Sequence, residues 1–459
     1  VPDSERVRIP NLTSFHAVPA QASVKVNGVS WILRYRFFRF VHASMWIVPI
    51  ASMLAAVLLL QVLRWVDHVH APAVLGFGMD GARSVLAVIA SSMLSLLVFA
   101  FSALLITVQL ASAQLTPRII AGLATGGRQV KYTIGLVMLT YTLSVGVLGR
   151  SETEVLQLST ALCILLSLAS IAVFLYLMDY WIKALRPVSV MSMVGAKATR
   201  VIDELYPYPL ASARTAHGAR ARLLSGGATL VHRGHSGVLL AADLAGLSRQ
   251  AMAAGGVIEL VPRIGDYIAT GEPLFRLFDG AAHLDPHALH RALAFGPERT
   301  IEQDPMFAFR ILVDIALKTL SPAINDPTTA VLALDQLHRL LRRIGERRLD
   351  TEEILDERGE HGLLFRTPDW DEYVVLATSE IRNFGATSLL VVQRLRELIT
   401  NLIAILPEVR RPALETQRRL LDAAAKRVFP DVEDLAFAGV SAPAAGAVES
   451  AAMEHPVGA

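Results

Sequence analysis

One cysteine stands in 459 residues, Cys163, and it lies inside an apolar run. That excludes a disulfide framework and a thiolate metal cluster. Excess charge is equally scarce: 43 Lys and Arg balance 41 Asp and Glu, a formal net charge of +2. Such a balance leaves no electrostatic footprint for nucleic acid, and no nucleic-acid partner is expected. The chain contains no HExxH, no GxSxG and no GxxxxGKS/T. Zinc-dependent hydrolysis, serine acyl transfer and P-loop chemistry therefore lack their signature residues. No catalytic residue, metal or cofactor is expected, and the chain reads as a non-enzyme. The first 40 residues are polar and basic and lack a hydrophobic core of signal-peptide type.

Apolar residues are abundant instead. They make up 53% of the chain, and the mean hydropathy is +0.45. Residues 43–185 carry most of this excess, and the chain after Leu205 has a globular charge density. Four spans are expected: Ala43–Val66, Ser84–Gln114, Tyr132–Gly149 and Gln157–Leu185. Tyr132–Gly149 is the weakest. Trp31, Trp46, Trp65 and Trp181 lie near the proposed boundaries, as interfacial aromatics do. Pro49 falls in the first turns of span one, where a missing N–H costs least.

Charge sets the expected orientation. Lys25, Arg34, Arg36, Arg39, Arg118, Arg128, Lys131, Lys183, Arg186, Lys197 and Arg200 fall on one side, and Arg64, Arg83 and Arg150 on the other. The positive-inside rule then places both termini in the cytoplasm, in a bacterial inner membrane. Asp67, His68 and His70 stand in one short outer loop. They read as a solvated interfacial loop, or more sharply as a metal or pH site. Near the inner interface, Asp179 has Lys183 at i+4, and a local ion pair is expected.

Span two carries a stripe. Ser84, Ser91, Ser95, Ser102 and Gln109 fall within an arc of about 40° on one helix face. Val98 and Leu105 share that face, and Ser92 and Thr107 lie off it. Lipid cannot satisfy such a stripe, so it must meet protein or water. Close helix packing is one reading, since Ser91-xxx-Ser95 fits the small-xxx-small pattern. A water-lined pore around an oligomer axis is the other, with apolar rings between hydroxyl rings gating by dewetting. At the cytoplasmic end, Gln114, Thr116, Pro117 and Arg118 read as a gate or hinge, or simply as a helix stop anchored at the headgroups.

The expected domains are an N-terminal segment at 1–42, the membrane domain at 43–185 and a connector at 186–219. A β-rich module at 220–280, a helical module at 281–437 and a disordered Ala/Gly/Pro/Ser tail at 438–459 follow. Strands are expected at Thr229–Val231, Gly237–Ala241, Val257–Leu260, Tyr267–Ala269 and Leu274–Phe278. The segment GGVIELVPRIGDYIATGEPLFRL resembles the half-barrel of biotinyl and lipoyl carrier domains. A carrier needs an acylatable lysine, and none stands between Lys197 and Lys318. A small barrel-like structural module remains. Helices are expected at Met306–Leu320 behind an Asp304 cap, at Thr328–Ile344, near Ser379–Leu406 and at Pro412–Val428. A short strand is expected at Gly362–Arg366. Asp314, Lys318, Ser321, Asn325, Asp326, Thr328 and Thr329 could converge on an ion, phosphate or small ligand; capping and turn chemistry account for several of them without one.

Two stretches carry a family resemblance. TVQLASAQLTPR, Thr107 to Arg118, and SPAINDPTTAVLALDQL, Ser321 to Leu337, resemble a bacterial family of predicted membrane proteins classed as a domain of unknown function. The resemblance implies a four-span membrane domain with a carboxy-terminal soluble domain, and implies no activity; the strands and helices read above make that soluble domain α+β. The functional expectation is a homo-oligomeric channel or channel-like transport protein, with the bilayer, its own copies and a small ion as partners. Its arrangement resembles small-conductance mechanosensitive channels, although here two further spans follow the striped helix. A membrane-anchored sensor or scaffold is the alternative, and a membrane enzyme working at the inner surface the third reading.

Overall fold

The computed structural model describes residues 44, 46–70, 78–114, 128–150, 157–184, 186–211, 227–349, 353–355 and 361–439. Four long helices come first: α1 Ile47–His70, α2 Met79–Gln114, α3 Arg128–Leu148 and α4 Gln157–Ala184. Each is long and apolar enough to cross a membrane. At 1.5 Å per residue, the 36 residues of α2 run to about 54 Å, well beyond a hydrocarbon core.

The weakest span proves central. In α3, 56% of the most apolar window is buried, against 17% in α1 and 28% in α2 and α4. Its neighbours wrap it, so its polar residues meet protein rather than lipid. Thr133, Thr140 and Ser144 are buried. The Thr140 and Ser170 hydroxyls hydrogen-bond across α3 and α4 at 3.0 Å. Close approach to α1 requires glycine on α3. A Cβ on Gly135 would stand 2.8 Å from Ser52 Oγ, and one on Gly146 would stand 2.7 Å from Leu60 Cδ2. Small-residue packing thus operates here, between spans one and three.

The region expected as a connector holds a helix. α5 runs from Pro187 to Leu205, with proline in its first turn. Its buried residues Val190, Met191, Val194, Ala198, Val201 and Ile202 join the main core of the soluble part. α5, which follows α4 in the chain, thus belongs to the soluble core.

The expected strands form, and others join them. The elements are β1 Ala228–Val231, β2 Gly237–Ala242, α6 Leu244–Ala254, β3 Gly256–Leu260, β4 Tyr267–Ile268, β5 Pro273–Asp279, α7 Pro286–Arg291 and β6 Leu293–Gly296. β7 Glu353–Leu355 and β8 Gly362–Leu364 come later in the chain. They make two open sheets, ordered β1-β5-β3-β8-β7 and β4-β2-β6. The expected barrel-like module does not close: α6 separates β2 from β3, and the two strands enter different sheets. β8 lies parallel to β3, more than a hundred residues from it in sequence.

The helical module comprises α8 Pro305–Thr319, α9 Pro327–Gly345, α10 Trp370–Gly385, α11 Leu389–Ile405, α12 Arg411–Val428 and α13 Val432–Phe437. Leu312, Leu337, Tyr373, Leu395 and Leu421 from five of these meet in the core that also takes in α5. Asp304 caps α8 as expected, accepting the Phe307 N–H at 3.1 Å. The single helix expected near Ser379–Leu406 is two. α10 starts earlier, at an Asp369–Glu372 capping box. It ends at Gly385, where a Cβ would come 2.6 Å from Val391 Cγ1, and extended Ser388 starts α11.

Candidate functional site

Six residues of α2 are buried against the other helices: Ala82, Leu86, Ile89, Ala90, Met93 and Ala100. They span an arc of about 100° centred opposite the polar stripe. Ser84, Ser91, Ser95, Ser102 and Gln109 are all exposed. Val98 and Leu105, between them on the same face, are each 60% exposed. Among the described residues, the stripe therefore points away from the helices that pack with α2. Three hydroxyls turn back onto their own helix. Ser91 donates to the Val88 carbonyl, Ser95 to that of Ser91 and Ser102 to that of Val98, each at 3.0 Å. The Gln109 amide is too long to be tied off in this way.

Gln114 is the last residue of α2. Thr116, Pro117 and Arg118 lie outside the described residues. The Asp179–Lys183 pair forms at 2.6 Å. Asp67 serves as a cap: from the end of α1 it accepts the N–H of Leu158 (3.1 Å) and Ser159 (3.2 Å) and the Ser159 hydroxyl (2.6 Å), at the start of α4. The side chains of His68 and His70 are not described. Among the described residues no group of three or more His, Cys, Asp or Glu converges to hold a metal. Gly76, Gly78 and Gly81 do stand at GxGxxG spacing, but they lead into membrane helix α2, whereas a dinucleotide site needs a strand before them.

The soluble cluster divides. Asp326 caps α9, accepting the Thr329 N–H at 3.0 Å and its hydroxyl at 2.6 Å. Those bonds, the hydroxyl first, hold its carboxyl below the usual range. Asn325 adopts a left-handed φ of 46° and closes the turn, its N–H bonded to the Ser321 carbonyl. The Ser321 hydroxyl bonds the Lys318 carbonyl. Thr328 is exposed in the first turn of α9. Asp314 is engaged elsewhere, by Arg310 at 2.7 Å, and Arg310 also grips Glu380. Turn and cap chemistry thus accounts for the hydrogen bonds seen in the SPAINDPTT segment.

Two constellations were not anticipated. His232 is 1% exposed, and its Nε2 donates to the His235 carbonyl at 2.9 Å. Its ring stacks on those of His290 and Phe295. Burial, and then the neighbouring His232 and His287, hold His290 below its ordinary value. The second is a staple. Asp203 of α5 takes Arg343 of α9 through two 2.8 Å bonds, and Arg347 through a third. The Arg343 hydrogen bond leads in holding Asp203 below the usual carboxylate range. Both sets join residues far apart in sequence, and no local spacing signals them.

The chain belongs to the family described as predicted membrane protein (DUF2254), whose model matches residues 42–401. It is 27% identical over 454 residues to an uncharacterized protein of Mycobacterium tuberculosis, Rv1290c, covering 95% of this chain and 85% of that protein. Identity and coverage are the same for the uncharacterized protein Mb1321c of Mycobacterium bovis. No solved structure gives a significant match.

Proposed function

We propose that this membrane protein is a homo-oligomeric channel of the bacterial inner membrane, with both termini cytoplasmic and the α+β domain regulating it. One observation carries the reading: the polar stripe of α2 lies opposite the face that packs within the chain. An exposed Gln109 amide in hydrocarbon costs several kcal/mol on the order of an unsatisfied polar group. Copies arranged about an axis turn all their stripes toward one another and toward water. Ser95, Ser102 and Gln109 then supply polar rings, and Val98 and Leu105 apolar rings between them, where dewetting closes the path. The stripe carries no acidic or basic residue, so it gives no strong charge selectivity. Because α5 follows span four in the chain and packs in the soluble core, motion of that domain has a short route to the membrane.

Bilayer recording of the purified protein tests this. Wild type should conduct, and Ser95→Leu and Gln109→Leu should abolish or strongly reduce the unitary current. Silence at every voltage, tension and pH, or a monomer in detergent, overturns it. One observation favours a membrane-anchored sensor or scaffold instead. Ser91, Ser95 and Ser102 satisfy their hydroxyls on their own backbone, so the upper stripe tolerates a dry neighbouring helix. In that case the oligomer would form and not conduct.

A further inference from the structure

Helices α5 and α9 frame an open cleft of about 590 Å³, lined by Ala196, Thr199, Arg339, Arg342, Arg343 and Glu346. Its α5 wall is made of small residues. A Cβ on Gly195 would come 2.7 Å from Arg339 Nη2, so the bare backbone there is what admits the guanidinium. Thr199 bonds its hydroxyl back to the Gly195 carbonyl and stays low against the helix.

Charge in this cleft is unbalanced. Three arginines, Arg339, Arg342 and Arg343, line it with one carboxylate, Glu346. Asp203 is shared by Arg343 and Arg347. Glu346 stands 3.7 Å from Arg342, with both side chains at least half exposed, a contact worth little in water. Arg339 has no ion-pair partner among the described residues and is exposed. Arg200, one residue beyond Thr199, adds another exposed cation on α5. Guanidinium groups pair with phosphate through two parallel N–H bonds, and Arg343 is already oriented by its own bidentate carboxylate.

We infer that this cleft binds a phosphate-bearing anion across α5 and α9. Thr199 lies about 18 Å along α5 from its membrane-side end at Pro187. A lipid headgroup and a soluble phosphate compound are therefore the two sources to separate. Binding itself does not depend on the channel reading. Only its consequence, that an anion fastening α5 to α9 alters opening, rests on that reading.

The full-length protein in zwitterionic nanodiscs would be titrated with inorganic pyrophosphate, and binding read by calorimetry. A second arm would place it in nanodiscs containing phosphatidylglycerol and read retained lipid by native mass spectrometry. A soluble source predicts saturable pyrophosphate binding, and a headgroup source predicts retained anionic lipid. In whichever arm binds, Arg339→Ala should weaken binding about tenfold and Arg339→Lys less, and the affinity should fall as salt rises. Arg418→Ala, at a partly exposed arginine of α12, keeps the change in charge but not the place, and should bind as wild type. No binding in either arm overturns the inference. So does equal binding by Arg339→Ala, or an equal loss in Arg418→Ala. Binding without any conductance leaves the site standing and removes the channel.

Discussion

Helices α2 and α3 are both long and apolar enough to cross a membrane and both carry hydroxyls, yet they use them in opposite directions. α3 is the less apolar, and it sits in the middle of the bundle with Thr140 hydrogen-bonded to Ser170 of α4. α2 is the longer and more apolar, and it turns its stripe outward. Hydropathy alone ranks them in the reverse order of burial. In a bilayer, low hydropathy marks the helix that other helices shield, because polar groups facing lipid are costly. A polar stripe on a helix at the edge of the bundle is therefore a demand for a neighbour that the other described helices do not provide.

The largest effect should come from spoiling the centre. Gly146→Val places a methyl-bearing Cβ 2.7 Å from Leu60, a buried residue of α1. Overpacking of this kind costs about 1–3 kcal/mol. Thermal unfolding in detergent should move down clearly, and an unchanged midpoint would break the account of α3 as the central helix. Asp67→Ala comes next. It leaves two N–H groups at the start of α4 without their acceptor, and loss of such a cap costs about 1–2 kcal/mol. Asp67→Asn should recover part of that loss, since its amide oxygen still accepts. Thr140→Val should cost less, roughly 0.6 kcal/mol, the usual size of an interhelical hydrogen bond in a membrane.

Much of this was legible before the fold was known. Long apolar runs announce spans because the bilayer allows only helices with internally bonded backbone. Asp304 and Asp326 announce helix starts because their side chains reach an N–H three residues ahead. Local chemistry of that kind survives in sequence. The Asp369–Glu372 capping box is equally local, and it starts the helix nine residues before the expected Ser379. What sequence cannot carry is the direction a face takes. The stripe on α2 reads the same whether it packs inward or points out, and only the burial of Leu86, Ile89 and Met93 opposite it decides. Long-range partners in the soluble cluster are equally silent in sequence: Arg310 pairs with Asp314 four residues on, and also with Glu380 from α10. The α5–α9 staple and the β3–β8 pair join residues 140 and about 105 positions apart, and no window of sequence spans them.

The smallest expected effect is the most discriminating. Ser102 spends its hydroxyl on the Val98 carbonyl and is exposed. Ser102→Ala should therefore leave monomer stability within about 0.5 kcal/mol of wild type. It removes one polar group from the exposed face without adding bulk, whereas Ser95→Leu adds bulk as well. If α2 lines water, Ser102→Ala should keep the oligomer intact and lower the current modestly, by making one ring drier. If α2 packs against a second copy, the smaller side chain should tighten or loosen the oligomer with no electrical effect. A fall in the unfolding midpoint as large as that of Thr140→Val would show that Ser102 is packed after all, and the contrast between the two helices would fail.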